Sequence, residues 1–179
     1  MFRKTFATIL LLVSGICAAI AQTPDNDDVF ARITDAASPY YYPNLLMRYN
    51  GSDKLSDDEY HYLYYGYAFQ EGYKPLVANK GMERVQAIMA RIAIDEPSVS
   101  DIDELIAAGT EAMQQDPFSP QLLNIMAYAY GTAGDKAREQ AFYDRLNGVL
   151  RCIERSGDGL KEKSPMHIIM FSHGLDYIA

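Results

Sequence analysis

The side chains in this chain with the most chemical potential are three histidines, His61, His167 and His173, one cysteine in the body of the sequence, Cys152, and a crowd of tyrosines. His173 with Asp176 has the residue types of a general base and its orienting carboxylate, or of two metal ligands. The histidine spacing, however, matches no His-x3-His ligand pattern and no cysteine supports it, so no metal site is expected. His167 lies inside the apolar run Met166 to Phe171 and reads as a satisfied core group. His173, at the end of that run beside Gly174, is the better catalytic candidate, working as a hydrolase base with a nearby tyrosine or carboxylate. No G-x-S-x-G elbow, phosphate-cradling glycine loop or H-E-x-x-H helix accompanies it, and nothing implies a cofactor. Ser156-Gly157-Asp158-Gly159 carries a single carboxylate and cannot form an EF-hand loop. Cys152 falls among Leu146, Val149, Leu150 and Ile153, where a lone thiol acts as a small buried hydrophobe.

The tyrosines are the stronger signal. Ten of the 14 lie between Tyr40 and Tyr73, and Ser56 to Tyr73 alone holds six. On a helical wheel Tyr60, Leu63, Tyr64 and Tyr67 gather on one side, and Tyr62, Tyr65 and Phe69 on the other. Two readings follow. A helix apolar on both sides is sandwiched between neighbours, with its hydroxyls bonded to polar partners. Alternatively Tyr60, Tyr64 and Tyr67, with Tyr40, Tyr41 and Tyr42 from the preceding Pro-Tyr segment, line a groove for a polypeptide or a glycan. The absence of tryptophan weighs against the second reading.

The elements that must position these residues read as helices. Pro43 suits the first turn of a helix carrying Leu45, Leu46 and Tyr49. Ser56 with Glu59 is a capping box that opens a helix at Asp57, with Gly72 as its stop. Val85, Ile88, Met89 and Ile92 recur at helical spacing, and Ser100 with Asp103 signals the next start, for a helix ending at Asp116-Pro117. Further helices run from Pro120 and from about Lys136 to Glu154, and a short turn falls at Val29 to Thr34. Paired carboxylates such as Asp57-Asp58 and Asp101-Asp103 belong to helix starts and do not suggest a glycosidase. Over Met166 to Phe171 periodicity cannot separate strand from helix, so the tail is left open, with β structure possible.

Leu123-x2-Met126-Ala127-x2-Tyr130 has the spacing of the first helix of a tetratricopeptide unit, and Gly134-Asp135 falls at its turn. Glu139 departs from that pattern where alanine is usual, and Arg151 where a closing proline recurs. The expected fold class is therefore all-α, a tetratricopeptide-like antiparallel helical array.

Residues 1–21 read as a cleaved export signal: Arg3 and Lys4, an apolar run from Phe6 to Ile20, and an Ala19-Ile20-Ala21 cleavage site. The fifteen-residue run is shorter than the roughly 20 residues of a spanning helix. Lipidation at Cys17 is disfavoured because Ile16 is not small. Residues 22–28 form a polar linker, and 29–179 one domain. Loss of the signal moves the net charge from −8 to −10, since it holds two basic and no acidic residues. A chain this acidic repels phosphate backbones and excludes nucleic acid as a partner.

The export signal together with "SPYYYP", "EYHYLYYGY", and "SGDGL" followed by an apolar run and "SHGLDYI" resembles the family of small exported bacterial proteins known as domain of unknown function 4919. The resemblance implies an exported, largely helical domain and assigns no activity. In that family a further segment, expected to be β, follows the histidine motif matched here by His173, whereas this sequence ends at Ala179. The resulting expectation is a periplasmic or extracellular binding or scaffold protein, without a membrane span once the signal is removed, whose partner is a polypeptide or a cell-envelope component. A hydrolase using His173 and a purely structural envelope protein are the alternatives.

Overall fold

The computed structural model describes residues 21–51, 53–92 and 96–178. Most of the export signal, Cys17 included, lies outside the described residues. Within them the chain forms eight α-helices and no strand.

Helix α1 spans Asn26–Thr34, and its start is fixed by Asp25, whose side chain accepts from the backbone N–H groups of Asp27 and Asp28. The helix thus reaches into the segment read as a linker, and it buries Val29 and Ile33. Helix α2, Tyr42–Asn50, has Pro43 in its first turn. Helix α3, Asp57–Gly66, carries the full capping box: Glu59 N–H donates to Ser56 Oγ and Ser56 N–H to Glu59 Oε2. It tightens into a 3₁₀ turn over Tyr67–Phe69 and stops where Gln70 turns extended and donates from Nε2 to Gly66 O. That side-chain bond, and not Gly72, ends the helix.

Helices α4 (Lys80–Ile92) and α5 (Val99–Met113) form a hairpin. The box that opens α5 is Ser98 with Asp101, two residues earlier than the Ser100 and Asp103 spacing suggested. Both pairs share one spacing, and the earlier one wins because Ser98 sits where the backbone is still extended. Helices α6 (Pro120–Thr132) and α7 (Lys136–Ser156) form the next hairpin, and α8 spans Phe171–Ile178.

Neighbours pack in the order α4, α5, α6, α7, α3, with α1 and α2 also against α3 and α8 against α6. Small residues set the crossings. A Cβ on Gly81 would stand 2.7 Å from Ala112 Cα, so α4 and α5 touch backbone to backbone. Gly109 makes room for the Met126 sulfur between α5 and α6, and Gly148 receives the Tyr60 ring between α7 and α3. Because α3 is enclosed on both sides, Tyr60, His61, Leu63, Tyr64 and Tyr65 are all buried.

The tail resolves the choice between strand and helix in an unforeseen way. Residues 165–168 are non-helical and pair with no strand, and the helix begins only at Phe171. Side-chain hydroxyls take the place of a partner strand. Tyr65 Oη donates to His167 O at 3.1 Å, Tyr73 Oη to Ile169 O at 2.5 Å, and Ser156 Oγ accepts from His167 N–H at 2.7 Å. Buried backbone groups must be paired, and here tyrosines of the α3 region pair them.

Candidate functional site

His173 is fully buried and sits between two partners. Its Nε2 faces the Asp116 carboxylate at 3.0 and 3.2 Å, and its Nδ1 lies 2.8 Å from Tyr64 Oη. Proton placement follows from counting donors. Ile169 N–H donates to Tyr64 Oη at 3.3 Å, so the phenolic proton needs another acceptor, and Nδ1 is the acceptor within reach. Nδ1 is then bare, Nε2 carries the proton and donates it to Asp116, and every member of the chain is satisfied. The relay joins α3, the turn between α5 and α6, and α8. Burial holds the Tyr64 hydroxyl well above the ordinary tyrosine range, so it does not serve as a phenolate nucleophile.

Asp176 takes no part in this. Its Oδ2 accepts from Ser119 Oγ at 3.0 Å and from Gln121 N–H at 3.2 Å, which places its charge on the free N–H groups opening α6. The carboxylate beside His173 is thus Asp116, a residue that in sequence looked only like a helix terminator.

The other tyrosines are spread around the molecule. Tyr49 donates to Pro117 O at 2.9 Å and Tyr67 to Gln115 O at 2.8 Å, so the turn after α5 is held from below by hydroxyls. Phe118 fills the space between them, its ring 5.2 to 6.0 Å from the rings of Tyr49, Tyr64 and Tyr67. Tyr60, with its hydroxyl pushed up to about 12 by burial, borders a recess of about 190 Å³ between α2, α3 and α7. Tyr40 stacks on Tyr62 at 4.1 Å under the Arg32 guanidinium, on the α1 side of α3. Tyr41 is half-buried as the residue preceding α2. Of the six tyrosines assigned to a groove, Tyr42 and Tyr67 share an open cleft, Tyr60 borders a different recess, Tyr40 lies on another face and Tyr64 is internal.

The cleft shared by Tyr42 and Tyr67 measures about 440 Å³ and lies between α2, the end of α5, α6 and α7. Leu46, Met113, Met126 and Phe142 make its walls apolar. Arg145 closes one end. It is nine-tenths buried, with its guanidinium carbon 4.9 Å from the Tyr49 ring centre and 4.8 Å from that of Phe142. Nη2 donates to Asn50 O at 3.1 Å, while Nε meets no hydrogen-bond partner among the described residues.

Neither Asp116 nor Arg145 carries a sequence motif that marks it as a site residue. Arg145 did leave a trace, because Phe142, Arg145, Val149, Cys152 and Ser156 follow one another at helical spacing on the buried side of α7. A charged residue in that stripe marks a buried polar site. Among the described residues there is no cluster of three metal-ligating side chains, and no helix is long and apolar enough to cross a membrane. Burial pushes the Cys152 thiol up to about 12, which keeps it inert as a nucleophile.

Among the described residues the fold and site define an all-helical domain with a buried Tyr64–His173–Asp116 relay and an open cleft lined by Tyr42 and Tyr67. The family described as domain of unknown function (DUF4919) matches residues 27–179, and the chain belongs to that family. No curated protein matches the chain, and no solved structure does.

Proposed function

We propose that this is an exported binding or scaffold protein that recognises a polypeptide or a cell-envelope component in the cleft lined by Tyr42 and Tyr67. The observation that carries the reading is the contrast between the two polar sites. Tyr64 and His173 are wholly buried, with each proton assigned, and present no atom to a substrate. The Tyr42–Tyr67 cleft is open, apolar-walled and within the roughly 300–1,000 Å³ range of ligand pockets. The basic start and apolar run of residues 1–21 support export. The tetratricopeptide-like reading of α6 and α7 draws support from the burial of Leu123, Met126, Ala127 and Tyr130. The departure at Glu139 has a local accommodation: its carboxylate lies over Gly131, where any Cβ would collide with it.

The hydrolase reading draws on the His173 and Asp116 pair, 3.0 Å apart. It requires an opening that bares His173, which is fully buried, although its partner Asp116 borders two clefts beside α8. The test is capture of envelope components by the wild-type protein and by Leu46→Trp, which fills the cleft from a half-buried wall position. With equal thermal stability of the two proteins, loss of the captured component from Leu46→Trp supports the cleft. Equal capture by both refutes it.

A further inference from the structure

We infer that Arg145 is an anion seat and that the cleft takes a monocarboxylate carried on an apolar body, such as the free C-terminus of a polypeptide with an apolar last residue. The inference rests on the reading of the Tyr42–Tyr67 cleft as the binding site. A buried guanidinium is stable when its charge is paired and its donors are satisfied. Arg145 has Asn50 O and two aromatic faces, no carboxylate, and an Nε without a partner among the described residues.

Nearby acids are engaged elsewhere. Asp53 is 3.7 Å from Arg48, and Asp144 accepts from Gln140 at 2.9 Å. Both border the smaller recess on the far side of Arg145, together with the cations Lys54 and Arg151. In the cleft itself Arg145 is the one charged lining residue, so an anion entering there meets a positive charge and no repelling carboxylate. A carboxylate supplies the acceptors the guanidinium lacks, in the planar geometry that arginine matches. The remaining wall is apolar apart from Asn50, Thr110, Gln114 and the tyrosine hydroxyls. An apolar body with one terminal charge fits this division, and a polyanion does not.

The experiment uses N-acetyl-Phe-Leu with a free carboxylate, the same dipeptide as its amide, and decanoate. Binding is followed by titration and by NMR of the Arg145 Nε–H and of the Met113 and Met126 methyls. The expected result is that the free acid binds at least about tenfold tighter than the amide and shifts all three signals, and that Arg145→Met abolishes the preference. The comparison of acid with amide is made on the wild-type protein, so it stands even where Arg145→Met is unstable. Equal binding of acid and amide, with both methyls shifted, overturns the anion seat and leaves the cleft reading intact. A shift of Arg145 without the methyls places the anion in the smaller recess, which keeps the seat and overturns the cleft. Decanoate binding more tightly than the dipeptide overturns the peptide source in favour of a fatty acid.

Discussion

Replacing Tyr64 with phenylalanine removes one oxygen and strands two buried groups. His173 Nδ1 loses the donor 2.8 Å away, and Ile169 N–H loses its acceptor at 3.3 Å. Each unsatisfied buried group costs about 1–3 kcal/mol, and relief from burying the tyrosine hydroxyl itself offsets part of that. The net expectation is a loss of about 2–4 kcal/mol. At the roughly 2–4 °C per kcal/mol typical of a domain this size, the melting temperature drops by about 4–16 °C. The control is Tyr62→Phe, whose hydroxyl bonds the half-exposed Asp28 carboxylate at 2.7 Å, where water can replace it. That change costs less than about 1 kcal/mol. Urea unfolding followed by circular dichroism measures both. If Tyr64→Phe lies within about 0.5 kcal/mol of the wild type, the proton assignment of the relay is wrong.

Further outcomes follow from single contacts. Gly148→Ala drives a methyl into the Tyr60 ring, which Tyr49 confines edge-on from 6.3 Å away, and destabilises by about 1–3 kcal/mol. Tyr60→Leu in the same chain relieves part of that loss, so urea unfolding of the double variant shows non-additivity. His61 is packed edge-on against Tyr62 and Tyr65, and burial pushes its pKa below the ordinary 6.5. The unfolded chain therefore binds the proton first on acidification. Stability contributed by neutral His61 is complete above pH 6.5 and declines as the pH falls below it, before the carboxylates titrate. His61→Phe flattens that limb of the stability profile, and an unchanged slope between about pH 6.5 and 5 contradicts the assignment.

Much of the helical framework is legible in the sequence because caps and periodicity are local. Ser56 with Glu59, Pro43 and Pro120 set helix starts through bonds spanning a few residues, and the structure keeps each of them. Near misses arise where two local signals compete, as between Ser98 and Ser100. The tyrosine helix illustrates a second limit. Its wheel predicts burial on both sides; Tyr60, Leu63, Tyr64, Tyr65 and Tyr67 are buried, while Tyr62 is half-buried and Phe69 exposed, and the wheel cannot say which distant carbonyls receive the hydroxyls. The acceptors of Tyr65 and Tyr67, at positions 167 and 115, come from the tail and a turn, as do those of the flanking Tyr73 and Tyr49 at 169 and 117, about 50 to 100 residues away. Asp176 was the nearer carboxylate to His173 along the chain, yet both lie in one short helix, and the fold brings Asp116 to the imidazole instead. Arg145 stands in an apolar stripe of α7, and its burial is not legible in the sequence because charged helix positions usually face solvent.

The recognition surface proposed above is the cleft beside Arg145, and the tyrosines around α3 act inward, tying the 165–169 segment to the core. Native-state hydrogen exchange of the His167 and Ile169 amides tests it most directly, because their acceptors are side-chain hydroxyls and not a strand. Both amides exchange at rates close to those of the buried α6 amides in the wild type, and Ile169 alone speeds up in Tyr64→Phe. Fast, unprotected exchange of both in the wild type contradicts the tether.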